Sequence, residues 1–212
     1  MSQPSVLPSI PAHCRSAIEQ ATEITRTVID EHVGLRLPSV GPADAVIATT
    51  SVVNGGLTLW PAIDAAHQVE AIVLKNVNWL WNISVDDAID RDGSIQELVD
   101  SVLVLVHGKG AASTPTGRAL GELLERARAL GGDVTPLAVA IGEVLTGFHY
   151  RYAVRSRPEM GDADRSLHNS VRTISLEPHL AIDVLASHGV LAAADVQAAS
   201  RTYHELSIAL RY

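Results

Sequence analysis

The stretch that decides the fold reads Asn78-Trp79-Leu80-Trp81-Asn82-Ile83-Ser84-Val85-Asp86-Asp87-Ala88-Ile89-Asp90. It is largely apolar, carries two tryptophans and closes on carboxylates spaced Asp-Asp-x-x-Asp. At about 100° per residue, a helix sets Asp86 and Asp90 roughly 40° apart and Asp87 roughly 60° from Asp90. All three acids then share one face at one end. Trp79 falls roughly 20° short of two full turns before Asp86 and shares that face, whereas Trp81 points roughly 140° away. Carboxylates at a helix C-terminus oppose the dipole by about 0.3–1 kcal/mol each, and like charges at i,i+4 add about 0.2–0.5 kcal/mol. Arg91 offsets some of this and Asp92 adds to it. Such a cluster is suited to a cation, and hard oxygen ligands in an incomplete set suit Mg²⁺, which keeps waters and shares phosphate oxygens. Taken alone, the motif reads either that way or as a solvated helix end.

Outward from this segment, nearly every stretch has helical spacing. Pro61 suits a first turn, so the central helix is expected from Ala62 to about Asp90, with Gly93 as its stop. Upstream, Pro11–Val33 carries Ile18, Ala21, Ile24, Val28 and Ile29 at helical intervals, Leu35–Pro42 is a break, and Ala43–Leu59 is a mostly apolar helix. Downstream, Ser94 and Glu97 form a capping-box pattern ahead of a helix ending near Gly108. A Gly/Ser/Thr/Pro-rich loop covers Gly108–Thr116, and helices follow at Gly117–Leu130, Pro136–Arg155, Ser166–Ser187 and Ala192–Tyr212. Val46–Ala48 and Val102–Val106 tempt a strand reading. Yet neither following glycine run completes a GxGxxG or GxxxxGK[ST] loop, and no strand–helix alternation runs along the chain. The expected class is all-α, in a single domain over residues 1–212.

Composition narrows the function. With 24 acidic against 16 basic residues, the net charge is −8, which opposes nucleic-acid binding. Arg151, Arg155 and Arg157 are the nearest approach to a basic patch. Cys14 is the sole cysteine, so no intrachain disulfide or thiolate metal cage forms. Residues 1–10 do not read as a signal peptide. The longest uncharged stretch, Ala45–Ile63, is too polar and broken to span a bilayer. A cytoplasmic protein without a membrane span is expected.

The acidic helix resembles the aspartate-rich motif of class I terpene synthases, in which it closes a long apolar helix lining the active site. Leu57-Thr58-Leu59-Trp60-Pro61 is similar to the family's helix break before it. A second match is Arg165-Ser166-Leu167-His168-Asn169-Ser170-Val171-Arg172-Thr173-Ile174-Ser175-Leu176-Glu177-Pro178. In the family, this segment carries an arginine that senses diphosphate, and its helix breaks just after. The resemblance places Arg172 as that arginine, Ser175 as the linker and Leu176 at the effector position, which is usually glycine. It implies a class I isoprenoid-synthase helical bundle and a carbon–oxygen lyase. Asp86, Asp87 and Asp90 would hold Mg²⁺, Asp86, Asp87 and Arg172 would act in catalysis, and Trp79, Arg172, Ser175 and Leu176 would contact an isoprenoid diphosphate. Low aromatic content favours a C20 chain over C15.

The family's second metal motif, Asn/Asp-Asp-x-x-Ser/Thr-x-x-x-Glu, is formally mimicked by Asn169, Thr173 and Glu177, but these fall too early and overlap the sensor segment. On the sensor alignment, the chain is expected to stop where that motif begins and to represent the larger, N-terminal part of the domain. An apolar surface left there is compatible with a homodimer. The alternatives are a prenyl diphosphate synthase, which should show two aspartate-rich motifs, and a non-catalytic helical relative. The nine histidines show no HExxH and no tight pair, and no GxSxG elbow occurs.

Overall fold

A computed structural model describes residues 12–35, 37, 39 and 42–211. The leader reading of residues 1–10, the Pro38 and Gly41 part of the predicted break, and Tyr212 lie outside these. Among the described residues there is no strand. The helices are α1 (Ala12–Thr27), α2 (Ala43–Gly56), α3 (Ala65–Asp90), α4 (Gln96–His107), α5 (Pro115–Leu130), α6 (Thr135–Ser156), α7 (Ala163–Thr173), α8 (Glu177–Ala186) and α9 (Ala193–Arg211). Both strand-tempting stretches are helical, within α2 and α4. No described helix is long and apolar enough to cross a membrane.

Helix α3 is the axis of the bundle, packing against α1, α2, α4, α5, α6 and α8. It begins three residues later than Pro61 predicts, because the Asp64 carboxylate caps it by accepting from Ala66 N and His67 N. Pro61 instead sits in a short 3-10 turn, Trp60–Ala62. Ile72, Leu74, Val77, Leu80, Trp81, Val85 and Ile89 are wholly buried along α3, each apolar side chain contributing about 1.5–3 kcal/mol. Trp81 points into the core, as its angle predicts, and its indole N–H donates to Ser101 Oγ at 3.0 Å.

Polar contacts set how neighbours dock on α3. Asn76 Nδ2 donates to Thr25 Oγ1 and Ser51 Oγ, and Asn76 Oδ1 accepts from Asn54 Nδ2, which ties α1 and α2 to α3 with every bond satisfied. One residue earlier, buried Lys75 pairs with buried Asp183 of α8 at 2.7 Å. Tyr203 of α9 donates to Leu57 O at 2.5 Å and to Asp183 at 3.4 Å.

Helices α6 and α7 form an antiparallel hairpin that brings the turn after Thr173 against α3. The hairpin is tight because Gly147 has no side chain: a Cβ there would stand 2.8 Å from Asn169 O and 2.9 Å from Arg172 Cβ. The helix predicted over Ser166–Ser187 is two helices, broken at Ile174–Leu176. The diphosphate-sensor resemblance places a break at this point. Pro178 cannot continue a helix interior, and Leu176 N–H turns to Ser207 Oγ of α9.

Candidate functional site

At the C-terminal end of α3 the Arg91 and Ser94 amides cap the Asp87 and Ala88 carbonyls, which leaves the Asp90 carbonyl and three carboxylates as uncompensated negative charge. Two arginines one turn apart on α6 answer both. Arg151 bridges the acids, with Nη1 donating to Asp86 and Nη2 to Asp90. Arg155 donates to the Asp90 main-chain carbonyl and lies 3.9 Å from its carboxylate. Asp87 turns the other way: it is buried and accepts the Ser39 amide at 3.2 Å. The structure therefore brings Asp86 and Asp90 together around a cation, with Asp87 outside that pair.

Asp86 is held in tension. Burial raises its pKa above the ordinary 3.8, Arg151 pulls it down, and the neighbouring charges of Asp90 and Asp87 push it up again. Beside it opens a cavity of about 170 Å³, between α3 and the α7–α8 break. Asp86, Arg151, Asn82 and Ile83 line it, as do Trp79, Asn78, His179, Ile174 and Ser175. Asn82 Nδ2 holds the break in place by donating to Thr173 O at 2.8 Å. The indole of Trp79 packs near the His179 ring, with centroids 5.9 Å apart.

The other sequence-assigned residues lie elsewhere. Arg172 pairs with Glu143 at 3.0 Å and with Asn169 at 3.4 Å. Glu143 precedes Arg151 by two turns of α6, about 12 Å along the axis. Arg151, not Arg172, holds the acids. Leu176 is buried against Leu180 and Tyr203 rather than in the cavity wall. Asn169, Thr173 and Glu177 bond separately, to Arg165 O, Ser170 O and Ser200 Oγ. No three His, Cys, Asp or Glu side chains among the described residues form a ready metal cage.

Sequence reasoning missed Arg151, Asn78 and His179. The available signal was Arg151 and Arg155 at i,i+4, a doublet that matches paired acids better than it matches a polyanion. His179 is buried, and burial, with the Lys75 charge adding, pushes its pKa down to about 3, so the ring is neutral.

No protein-family model, curated protein or solved structure matches this chain.

Proposed function

We propose that this chain carries a class I terpene-synthase site, in which Mg²⁺ and an isoprenoid diphosphate bind at the Asp86–Asp90 end of α3. One observation carries the reading: Trp79, Asp86 and Ser175, assigned from two separate stretches of sequence, line the same cavity. Shared spacing on α3 accounts for the first two, but Ser175 arrives only through the docking of the α7–α8 break.

The residues fit a divalent cation. Asp86 and Asp90 offer hard oxygens to one point, and Arg151 already occupies that point as a positive charge. Asp86 and Asp90 would hold a Mg²⁺ there, which would supply charge neutralisation to a leaving diphosphate. Arg151, released from the acids, turns its planar fork to the diphosphate, a geometry lysine does not reproduce. Arg172 contributes only on leaving Glu143. Trp79 presents an aromatic face, which stabilises a cation by about 0.5–2 kcal/mol. At about 170 Å³ the cavity is below the roughly 300–1,000 Å³ of drug-sized sites. It must widen for a C15 or C20 tail, the latter favoured on composition.

Titration calorimetry with Mg²⁺ and inorganic diphosphate, then with a non-ionisable isoprenyl analogue, tests this. Asp86→Asn is expected to weaken Mg²⁺-dependent binding at least tenfold while helix content stays constant. Equal affinity in wild type and Asp86→Asn would reject the site.

A further inference from the structure

The floor of the cavity is at odds with a purely hydrocarbon ligand. Asn78 and His179 both line it, at 2% and 1% exposure. The Asn78 side-chain oxygen and both ring nitrogens of His179 are buried without hydrogen-bond partners. A buried polar atom left unpaired costs about 1–3 kcal/mol, so three within one small cavity require explanation.

Their chemistry is specific. The Lys75 main-chain carbonyl lies close enough to the imidazole to favour its protonated nitrogen, though without hydrogen-bond geometry. With one N–H turned that way, the other nitrogen of the neutral ring is an acceptor. Asn78 Oδ1 is also an acceptor. Both line the same cavity, where one molecule with two O–H donors would satisfy both acceptors. At about 170 Å³ the cavity they line exceeds the roughly 30 Å³ of liquid volume that one water occupies.

We propose that Asn78 and His179 form a subsite for a single water, held below Trp79 to be delivered to the substrate cation, so that the product is an alcohol. This rests on the diphosphate reading of the same cavity. Ionisation breaks the substrate C–O bond, and its electron pair leaves with diphosphate. The water oxygen donates a lone pair to form the new C–O bond. The proton lost from that oxygen passes to the free His179 nitrogen and then to the departing diphosphate. The net change is hydrolysis, with no oxidant or reductant.

Two measurements test it. In a crystal structure fine enough to place solvent, a water should lie about 2.7–3.2 Å from Asn78 Oδ1 and from a His179 nitrogen. A floor without one overturns the proposal. In H₂¹⁸O with Mg²⁺ and C15 or C20 diphosphate, ¹⁸O-labelled alcohol should exceed the protein-free control. Asn78→Leu and His179→Phe, apolar replacements of similar size, should lower the alcohol-to-hydrocarbon ratio at least tenfold. Hydrocarbon as the only product overturns water delivery. Absence of any Mg²⁺-dependent diphosphate binding overturns the terpene-synthase reading instead, and the crystal then decides the water subsite alone.

Discussion

Helix α3 carries two ionic contacts on the side facing α6 and α8, and they differ in burial and in balance of charge. Lys75 and Asp183 meet at 2.7 Å with both side chains wholly buried. Asp86 and Asp90 meet Arg151 with side chains 41%, 40% and 28% exposed. Burial pushes Lys75 down and Asp183 up in pKa, and their mutual attraction opposes both shifts. The inner pair is surrounded by Thr58, Leu57 O and Tyr203. These partners are neutral, so neither charge has another ion to turn to there, whereas water and ions compete for the outer one. Burial therefore separates a fixed joint from an exchangeable one on a single helix, and the exchangeable one borders the cavity.

The largest expected effect follows from breaking the inner pair. Lys75→Met leaves Asp183 charged and uncompensated in the core, which costs about 3–5 kcal/mol. Adding Asp183→Leu should recover part of that loss, because the orphaned charge is then gone. Urea unfolding of both variants measures this. A loss under about 1 kcal/mol in Lys75→Met would remove the contrast between the two pairs.

Asp100 sharpens the comparison, being a buried carboxylate held without a cation. Ser113 and Thr114 each donate an amide and a hydroxyl to it, and a Cβ on Gly117 would lie 1.8 Å from its Oδ2. Burial alone would raise its pKa, but these bonds outweigh burial and lower it below 3.8. With the folded value depressed, its stabilisation is present above the unfolded value and lost as pH falls through the folded one. Asp100→Ala should cost about 1–3 kcal/mol at pH 7. The gap to wild type should narrow below about pH 4. Unfolding midpoints from pH 7 to pH 2 give the measurement, and a gap constant across that range would contradict it.

Much of this architecture is legible in the sequence, for local reasons. Periodicity and Gly/Pro punctuation locate most helices closely, with α7 and α8 read as one, since caps such as Asp64 and Thr114 act within three residues. The shared face of Trp79 and Asp86 follows from helical geometry alone. What escapes depends on docking between distant segments. Asp87 lies on the acidic face in projection, yet is claimed by Ser39, 48 residues earlier. Arg151 reaches the acids from 61 and 65 residues away, because α6 docks against α3. His179 and Asn78 are ordinary polar residues until α8 packs on α3 and excludes other partners.

The smallest expected effect on stability lies at the outer pair, and it is the most informative about function. Arg151→Gln removes the bridge between Asp86 and Asp90. All three side chains are a quarter or more exposed, so their attraction is weakened by solvent and offset by the entropy of holding the arginine. The expected loss is within about 1 kcal/mol. Part of that loss is renewed repulsion between Asp86 and Asp90, one helical turn apart, worth about 0.2–0.5 kcal/mol. Salt should shrink the effect, because the Debye length falls from about 10 Å at 0.1 M to about 3 Å at 1 M. Lys75→Met, by contrast, should respond little to salt, because its partner is wholly buried. Urea unfolding of both variants at the two salt concentrations checks this. An Arg151→Gln loss above about 2 kcal/mol, unmoved by salt, would make the outer pair a fixed joint like the inner one. Arg151 would then not be free to leave the acids for a diphosphate, and the exchange on which the site depends would fail.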